Sequence, residues 1–356
     1  MLFYAILGLL CGGALVVFVW QKLYPKPYPG IPYNKASAQR ITGDIPDLIP
    51  VIKSKNEFSE SIFTVTTRKL GTPVAQLLFP GFRKPFVILE DPREIEDIIV
   101  RRNAEFDRSP TAVDLFAPMF AHSSIVQYAT PELKAQKHLW AGVMSPNFLR
   151  RAAAPNIYDA SLELVELWKL KASTLYKGQP FLVYDDLKNS ALEAIWVALI
   201  GEKPGITKYE FRKLQCQVEG SGKGPGEAAR GAAIKEEVNY ISETVARNSN
   251  SASPKWAQKL ETYTPRYRKF RARVTAEIGE AMRRAVDRFQ RLDLGKLDAD
   301  ELDTCMMDLV LRRQMLQDRK AGRTPRDPMR DQNMLDEMFI FLVGVSLPTW
   351  SRTCCR

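Results

Sequence analysis

The chain of 356 residues has almost no histidine: His122 and His138 are the only two. A multi-His metal centre or a Ser-His-Asp site therefore has nearly nothing to draw on. Cysteine is sparse and scattered, at Cys11, Cys216, Cys305, Cys354 and Cys355. No Cys-x-x-Cys pair and no Cys/His ligand spacing occurs, which argues against a zinc site or a disulfide framework. Internal repeats are lacking, so the chain is not a solenoid. With 20 Gly, 23 Pro and 45% hydrophobic residues, it is neither collagen-like nor a disordered polymer. The 51 basic residues exceed the 41 acidic ones, a net charge of +10. That surplus permits an anionic partner without demanding one.

What the sequence does have is a long uncharged run at its start. Leu2 to Trp20 carries no charge and is rich in Leu, Val, Ile and Phe. A helix of that length matches a hydrocarbon core of about 30 Å. Trp20 and Tyr24 sit where an interfacial belt belongs, and Lys22 and Lys26 follow. No basic segment precedes the run and no small-x-small cleavage pattern follows it, so a cleaved signal peptide is disfavoured. The expectation is a single-pass anchor with the body facing the cytosol. Pro25 to Pro32 is proline-rich and reads as a stiff spacer. The organisation expected is an anchor at 2–20, a linker at 21–34, a body at 35–344 and a distinct tail at 345–356.

The body reads as mainly α with one small β-hairpin. Pro46 to Arg68 is loosely helical. Pro73 to Phe79 and Lys84 to Glu90 predict two strands around a Pro80-Gly81 turn. Asp91-Pro92 starts a helix, with the Asp as cap and the Pro at the first helical position. Ser109 to Tyr128 reads as irregular. Thr130-Pro131-Glu132 starts a helix running to about Met144. Further helices are expected over Asn156 to Leu175 and Tyr184 to Ile200. Gly201 to Thr264 is glycine- and serine-rich in places and predicts helices interrupted by mobile loops. Helices then follow over Pro265 to Leu292, where Val274, Ile278, Ala281, Ala285 and Phe289 form an apolar stripe, and over Asp303 to Asp318 and Met329 to Gly344. Cys305, beside Met306 and Met307, reads as core.

The order of these segments resembles a known family. After the uncharged start come Tyr28-Pro29-Gly30-Ile31-Pro32, the hairpin with Asp91-Pro92, and Glu105-Phe106-Asp107-Arg108-Ser109. Thr130 to His138, Ala194 to Gly201 and Asp336 to Gly344 follow. Together they resemble the N-terminal part of a microsomal cytochrome P-450, a haem-thiolate monooxygenase. The similarity covers Met1 to Gly344.

The resemblance implies an incomplete cytochrome P-450 fold behind a transmembrane helix. It also implies haem as cofactor, oxygen insertion into a small organic substrate, and electrons from an NADPH-dependent reductase. It places the protein on the endoplasmic reticulum membrane, with lipid as a partner and nucleic acid not expected. In the family, the helix near Thr130 offers a Trp and, four residues on, an Arg to the haem propionates. Leu133 and Lys137 occupy those positions here, with His138 adjacent, so Lys137 and His138 are the candidate haem contacts. Lys offers a point charge without the fork of Arg.

The helix above the haem should continue past Gly344 into an acid-alcohol pair. The chain instead reads Val345-Ser346-Leu347-Pro348, and Pro348 should end the helix. The Glu-x-x-Arg pair and the Gly-rich loop bearing the proximal Cys do not follow. The expectation is a chain truncated within that helix, by a gene-model error such as intron read-through or in reality. It is then inactive as written, with no catalytic residue and no metal ligand assigned. The alternative reading is a membrane-anchored helical binding protein. Its basic helix, Arg266 to Arg291, would touch acidic lipid or another acidic partner.

Overall fold

Helix after helix in this chain begins with a capping oxygen and a proline. The Asp91 carboxylate accepts the N–H of Arg93 at 2.8 Å ahead of Pro92. Ser109 does the same for Thr111 ahead of Pro110, and Thr130 for Leu133 ahead of Pro131. Ser145 caps ahead of Pro146, and Thr264 ahead of Pro265. Proline has no N–H to leave orphaned at that position, and each cap contributes about 0.5–2 kcal/mol.

A computed structural model describes residues 20–55, 58–81, 83–220, 229–249, 251, 253–292, 303–324, 327 and 331–346. The chain divides into two units at Asp107 and Arg108.

The first unit holds α1 (Lys35–Ala38), α2 (Ile45–Lys55), α3 (Phe58–Val65) and α4 (Thr67–Leu70). Strands β1 (Val74–Leu77) and β2 (Phe86–Leu89) follow, then α5 (Pro92–Glu96), which runs into a π-turn at Asp97–Arg101. The strands pair antiparallel, from Val74 opposite Leu89 to Leu77 opposite Phe86. This is the expected hairpin, one or two residues shorter at each end. The proline-rich stretch read as a spacer is fastened to β1. The buried Gln76 side chain donates to the carbonyls of Tyr28 and Ile31 at 2.9 and 2.8 Å and accepts the Tyr28 N–H at 2.8 Å. The apolar centre of this unit is small: Leu48, Val65 and Leu77.

The second unit is all helical: α6 (Pro110–Phe116), α7 (Pro131–Trp140), α8 (Pro146–Phe148), α9 (Ala154–Thr174), α10 (Tyr184–Ile200) and α11 (Ile206–Glu219). Then come α12 (Ala229–Ser249), α13 (Pro254–Glu261), α14 (Pro265–Gln290), α15 (Met306–Lys320) and α16 (Gln332–Ser346). The stretch after Ser109, read as irregular, opens with α6. Its Ser-Pro start carries the same physics as Asp91-Pro92. The α14 stripe is as expected: Val274, Ile278, Ala281, Ala285 and Phe289 are all buried. They pack with Trp196, Met282, Leu335, Met338 and Phe339 into one core. Each Val, Ile, Leu, Met or Phe among them contributes about 1.5–3 kcal/mol of burial. Cys305 is buried in that core, as read, though it caps α15 rather than lying within it. α16 continues past Gly344 to Ser346. Pro348 and the predicted break lie outside the described residues.

Among the described residues no helix is long and apolar enough to cross a membrane. The span read at 2–20 lies outside them except for Trp20.

Candidate functional site

Two helices define the site, α7 and α16. The buried face of α7 is Leu133, Gln136 and Trp140, at spacings of three and four. Trp140 stacks on Phe341 of α16, with ring centroids 5.3 Å apart and planes at 27°. Aromatic pairs in such offset geometry add about 0.5–1.5 kcal/mol beyond their area.

Polar groups lock a loop onto the same helix. Adjacent carboxylates on α16, Asp336 and Glu337, are both buried. The N–H of His122 donates to Asp336 at 3.0 Å, and Arg271 of α14 forms an ion pair with the other oxygen. The Arg271 guanidinium also lies 4.4 Å from the Phe339 ring centre. Glu337 accepts the N–H of Ser124 at 2.6 Å and its hydroxyl at 2.5 Å. Gln136 of α7 reaches Glu337 at 3.2 Å, while its own carbonyl takes the Gln127 amide at 2.6 Å. The loop at His122 and Ser124 is thus hung from α16 by its backbone N–H groups. Buried carboxylates demand such partners, because an unpaired charge in an apolar core is costly.

The candidates named from the sequence lie off that buried face of α7. Lys137 and His138 are both exposed, while Leu133 is buried. His138 lines a cavity of about 620 Å³ between α7, α15 and the start of α16; Lys137 does not. Lys134, Glu132, Gln314 and Asp331 also line it. Gln314 donates to Asp331 at 2.9 Å, and Asp331 in turn accepts the N–H of Met334 at 3.0 Å to begin α16.

This donor set fits haem only in part. Lys134 and His138 offer cationic or donor groups that suit a propionate, but Glu132 and Asp331 oppose one. Burial pushes the Cys305 thiol far above its ordinary range. The residue sits in the apolar core and does not line the cavity. Its Sγ lies against Gly201, where an added methyl would meet it at 3.4 Å. Cys216 is half-buried on α11 and does not line the cavity. Cys11, Cys354 and Cys355 lie outside the described residues. No group of His, Cys, Asp or Glu among the described residues is arranged to hold a metal ion. The residues present thus fit the edge of the group and not its iron, and no reaction step is derived through it.

Sequence reasoning missed Asp336 and Glu337 as site-forming residues. Their loop partners, His122 and Ser124, lie more than 200 positions away, beyond the reach of any local pattern. The one available signal was two acids side by side at the head of an otherwise apolar helix.

No family model matches the chain. Curated relatives do. The chain is 31% identical to a cytochrome P-450 monooxygenase of Pestalotiopsis microspora over 336 residues, 92% of this chain and 57% of that protein. It is 31% identical over 209 residues to one from Fusarium sporotrichioides, 58% of this chain and 35% of the relative. A third, from Penicillium rubens, is 25% identical over 345 residues, 92% of this chain and 56% of the relative. The chain spans about half the length of the curated relatives it matches. Shared sequence across most of its length shows that the chain belongs to the cytochrome P-450 family.

Proposed function

We propose that this chain forms one wall of a membrane-bound, haem-dependent monooxygenase acting on a small organic substrate. Haem, when bound, supplies the oxygen-insertion chemistry, with electrons from an NADPH-dependent reductase. The observation that carries the reading is similarity to such enzymes over 92% of the chain. α7 and α16, joined through Trp140 and Phe341, would supply the wall. Lys137 and His138 would face the propionates from the exposed side of α7. Neither Cys216 nor Cys305 lines the cavity, so oxygen insertion would depend on an axial thiolate from outside the described residues.

Attachment to the endoplasmic reticulum membrane, body in the cytosol, rests on the uncharged run from Leu2 to Trp20. A second feature supports lipid contact. α13 and the residue two beyond it expose Trp256, Leu260 and Tyr263, all about 60% accessible, on one helical face. Lys259 lies on that face, 5.3 Å from the Trp256 ring centre. Exposed aromatics with lysines suit the lipid–water interface.

The alternative, a basic helix that grips acidic lipid or another acidic partner, has less support. Arg266 and Arg273 of α14 engage Glu237, Arg284 engages Glu202, and Arg288 engages Asp308.

Haem titration of the full chain tests the proposal. We expect weak saturable binding that is lost in a Lys137→Ala, His138→Ala variant with unchanged circular dichroism. Binding of equal strength in that variant would remove both residues from the site.

A further inference from the structure

A second cavity, of about 290 Å³, lies in the second unit away from α7 and α16. It is lined by four cationic side chains: Lys203 before α11, Lys208 and Arg212 on α11, and Arg230 in the first turn of α12. Lys208 and Arg212 are four residues apart and share one helix face. Two carboxylates, Glu163 and Glu193, line it as well.

Most of these charges are already committed. Glu193 is fully buried and accepts the N–H groups of Gly205, Ile206 and Thr207 at 3.0, 2.6 and 3.2 Å. The start of α11 is therefore occupied from within and is not itself the site. Lys203 pairs with Glu163 at 2.8 Å, and Arg230 with Glu277 at 2.8 Å. Lys208 and Arg212 are different. Neither makes an ion pair or hydrogen bond among the described residues, and Arg212 is half-buried. Like charges one turn apart repel, and a partly desolvated guanidinium without a partner is costly. The free oxygen of Glu163, Oε2, is also buried without a partner among the described residues.

We propose that this cavity binds a phosphate group, as free phosphate, a phosphate monoester or a lipid headgroup. Its oxygens would take the fork of Arg212 and the point charge of Lys208. In its singly protonated form the phosphate also brings one O–H, which matches the unpartnered oxygen of Glu163. A fully deprotonated or donor-free anion such as sulfate lacks that match.

The test is calorimetric titration of the full chain with inorganic phosphate at low ionic strength, against chloride of matched ionic strength. The expected result is saturable binding with one phosphate per chain, and weaker binding of sulfate. Arg212→Gln should weaken phosphate at least tenfold, and Lys208→Gln with Arg212→Gln should abolish it. Arg212→Lys should keep part of it. Lys213→Gln removes one charge from the same helix outside the cavity and should leave affinity unchanged. Flotation with vesicles containing phosphatidic acid separates the sources. Arg212-dependent flotation without binding of free phosphate would assign the site to a headgroup. The proposal is overturned if neither ligand binds. It is equally overturned if Lys213→Gln weakens binding as much as Arg212→Gln, or if the double variant, with its helix content intact, binds as the parent does.

Discussion

The two units of this chain are held together by different physics. The unit up to Asp107 has a small apolar centre and relies on side chains that satisfy its backbone. Asp44 accepts the Leu78 N–H at 2.6 Å and returns its own N–H to the Leu78 carbonyl at 2.9 Å. Gln76 ties Tyr28 and Ile31 to β1, and Arg40 forks onto Asp47 at 3.2 and 3.0 Å. That fork holds the Asp47 carboxyl below its ordinary range. The unit from Arg108 buries large apolar side chains on several helices and holds its buried carboxylates with arginines, as at Asp303 and Asp336, or with neutral donors, as at Glu193 and Glu337. A short-element unit must use directional bonds, whereas long amphipathic helices can use area.

Substitutions separate these two modes, the largest effect first. In the helical unit, Arg312 and Asp303 form an ion pair at 2.8 Å with both side chains almost fully buried. Asp303→Ala removes this carboxylate from a buried guanidinium. It should cost about 3–5 kcal/mol in urea unfolding, near the practical limit for a single substitution. A loss under about 1 kcal/mol would mean that water reaches Arg312.

In the first unit, Gly43 has φ +62°, and an added Cβ would clash with the Leu78 carbonyl oxygen. Gly43→Ala should cost about 1–3 kcal/mol through the left-handed backbone alone, and more through the clash. Asp44→Ala breaks the adjoining exchange with Leu78 and should cost about 1–3 kcal/mol by leaving that N–H unsatisfied. Equal losses at Gly43 and at an exposed helix position would contradict the account of this turn.

A smaller effect concerns pH. Burial raises the Glu193 carboxyl above its ordinary value, although the three backbone N–H groups pull the other way. A raised carboxyl binds its proton more tightly in the folded state. Its contribution is present below the unfolded value and is lost as pH rises through the folded one. Stability should therefore fall with rising pH from the ordinary carboxylate range upward. Glu193→Gln should flatten that slope, while lowering stability overall because its amide faces backbone donors. An unchanged slope in unfolding midpoints across that range would remove Glu193 as the cause.

The smallest effect is expected at Lys169, whose pair with Glu166 at 2.8 Å is exposed on both sides. Lys169→Ala should change stability by about 0–0.5 kcal/mol in the same unfolding assay.

Local chemistry was legible in the sequence where it is local in cause. The Pro80-Gly81 turn announced the hairpin, and Thr130-Pro131 announced α7. The spacing of Val274, Ile278, Ala281, Ala285 and Phe289 announced the buried face of α14. The misreading of Ser109 to Tyr128 came from ignoring a Ser-Pro start that had been used correctly at Asp91-Pro92. What stayed hidden depends on chain crossings. Glu193 caps a helix that begins 13 positions later, and Asp336 and Glu337 hold a loop more than 200 positions earlier. Lys137 sits four residues after a buried Leu133 yet faces solvent. Four residues are 400° of helix, so such residues share a side without sharing depth.

The central proposal is that this chain forms one wall of a haem monooxygenase and that neither Cys216 nor Cys305 is placed to hold the iron. The most direct measurement is the absorbance spectrum of the purified full chain with haem, reduced under carbon monoxide. The account predicts no thiolate-type shift. A clear shift that disappears in Cys305→Ser, or in a Ser variant of any other cysteine, would contradict it and name the ligand.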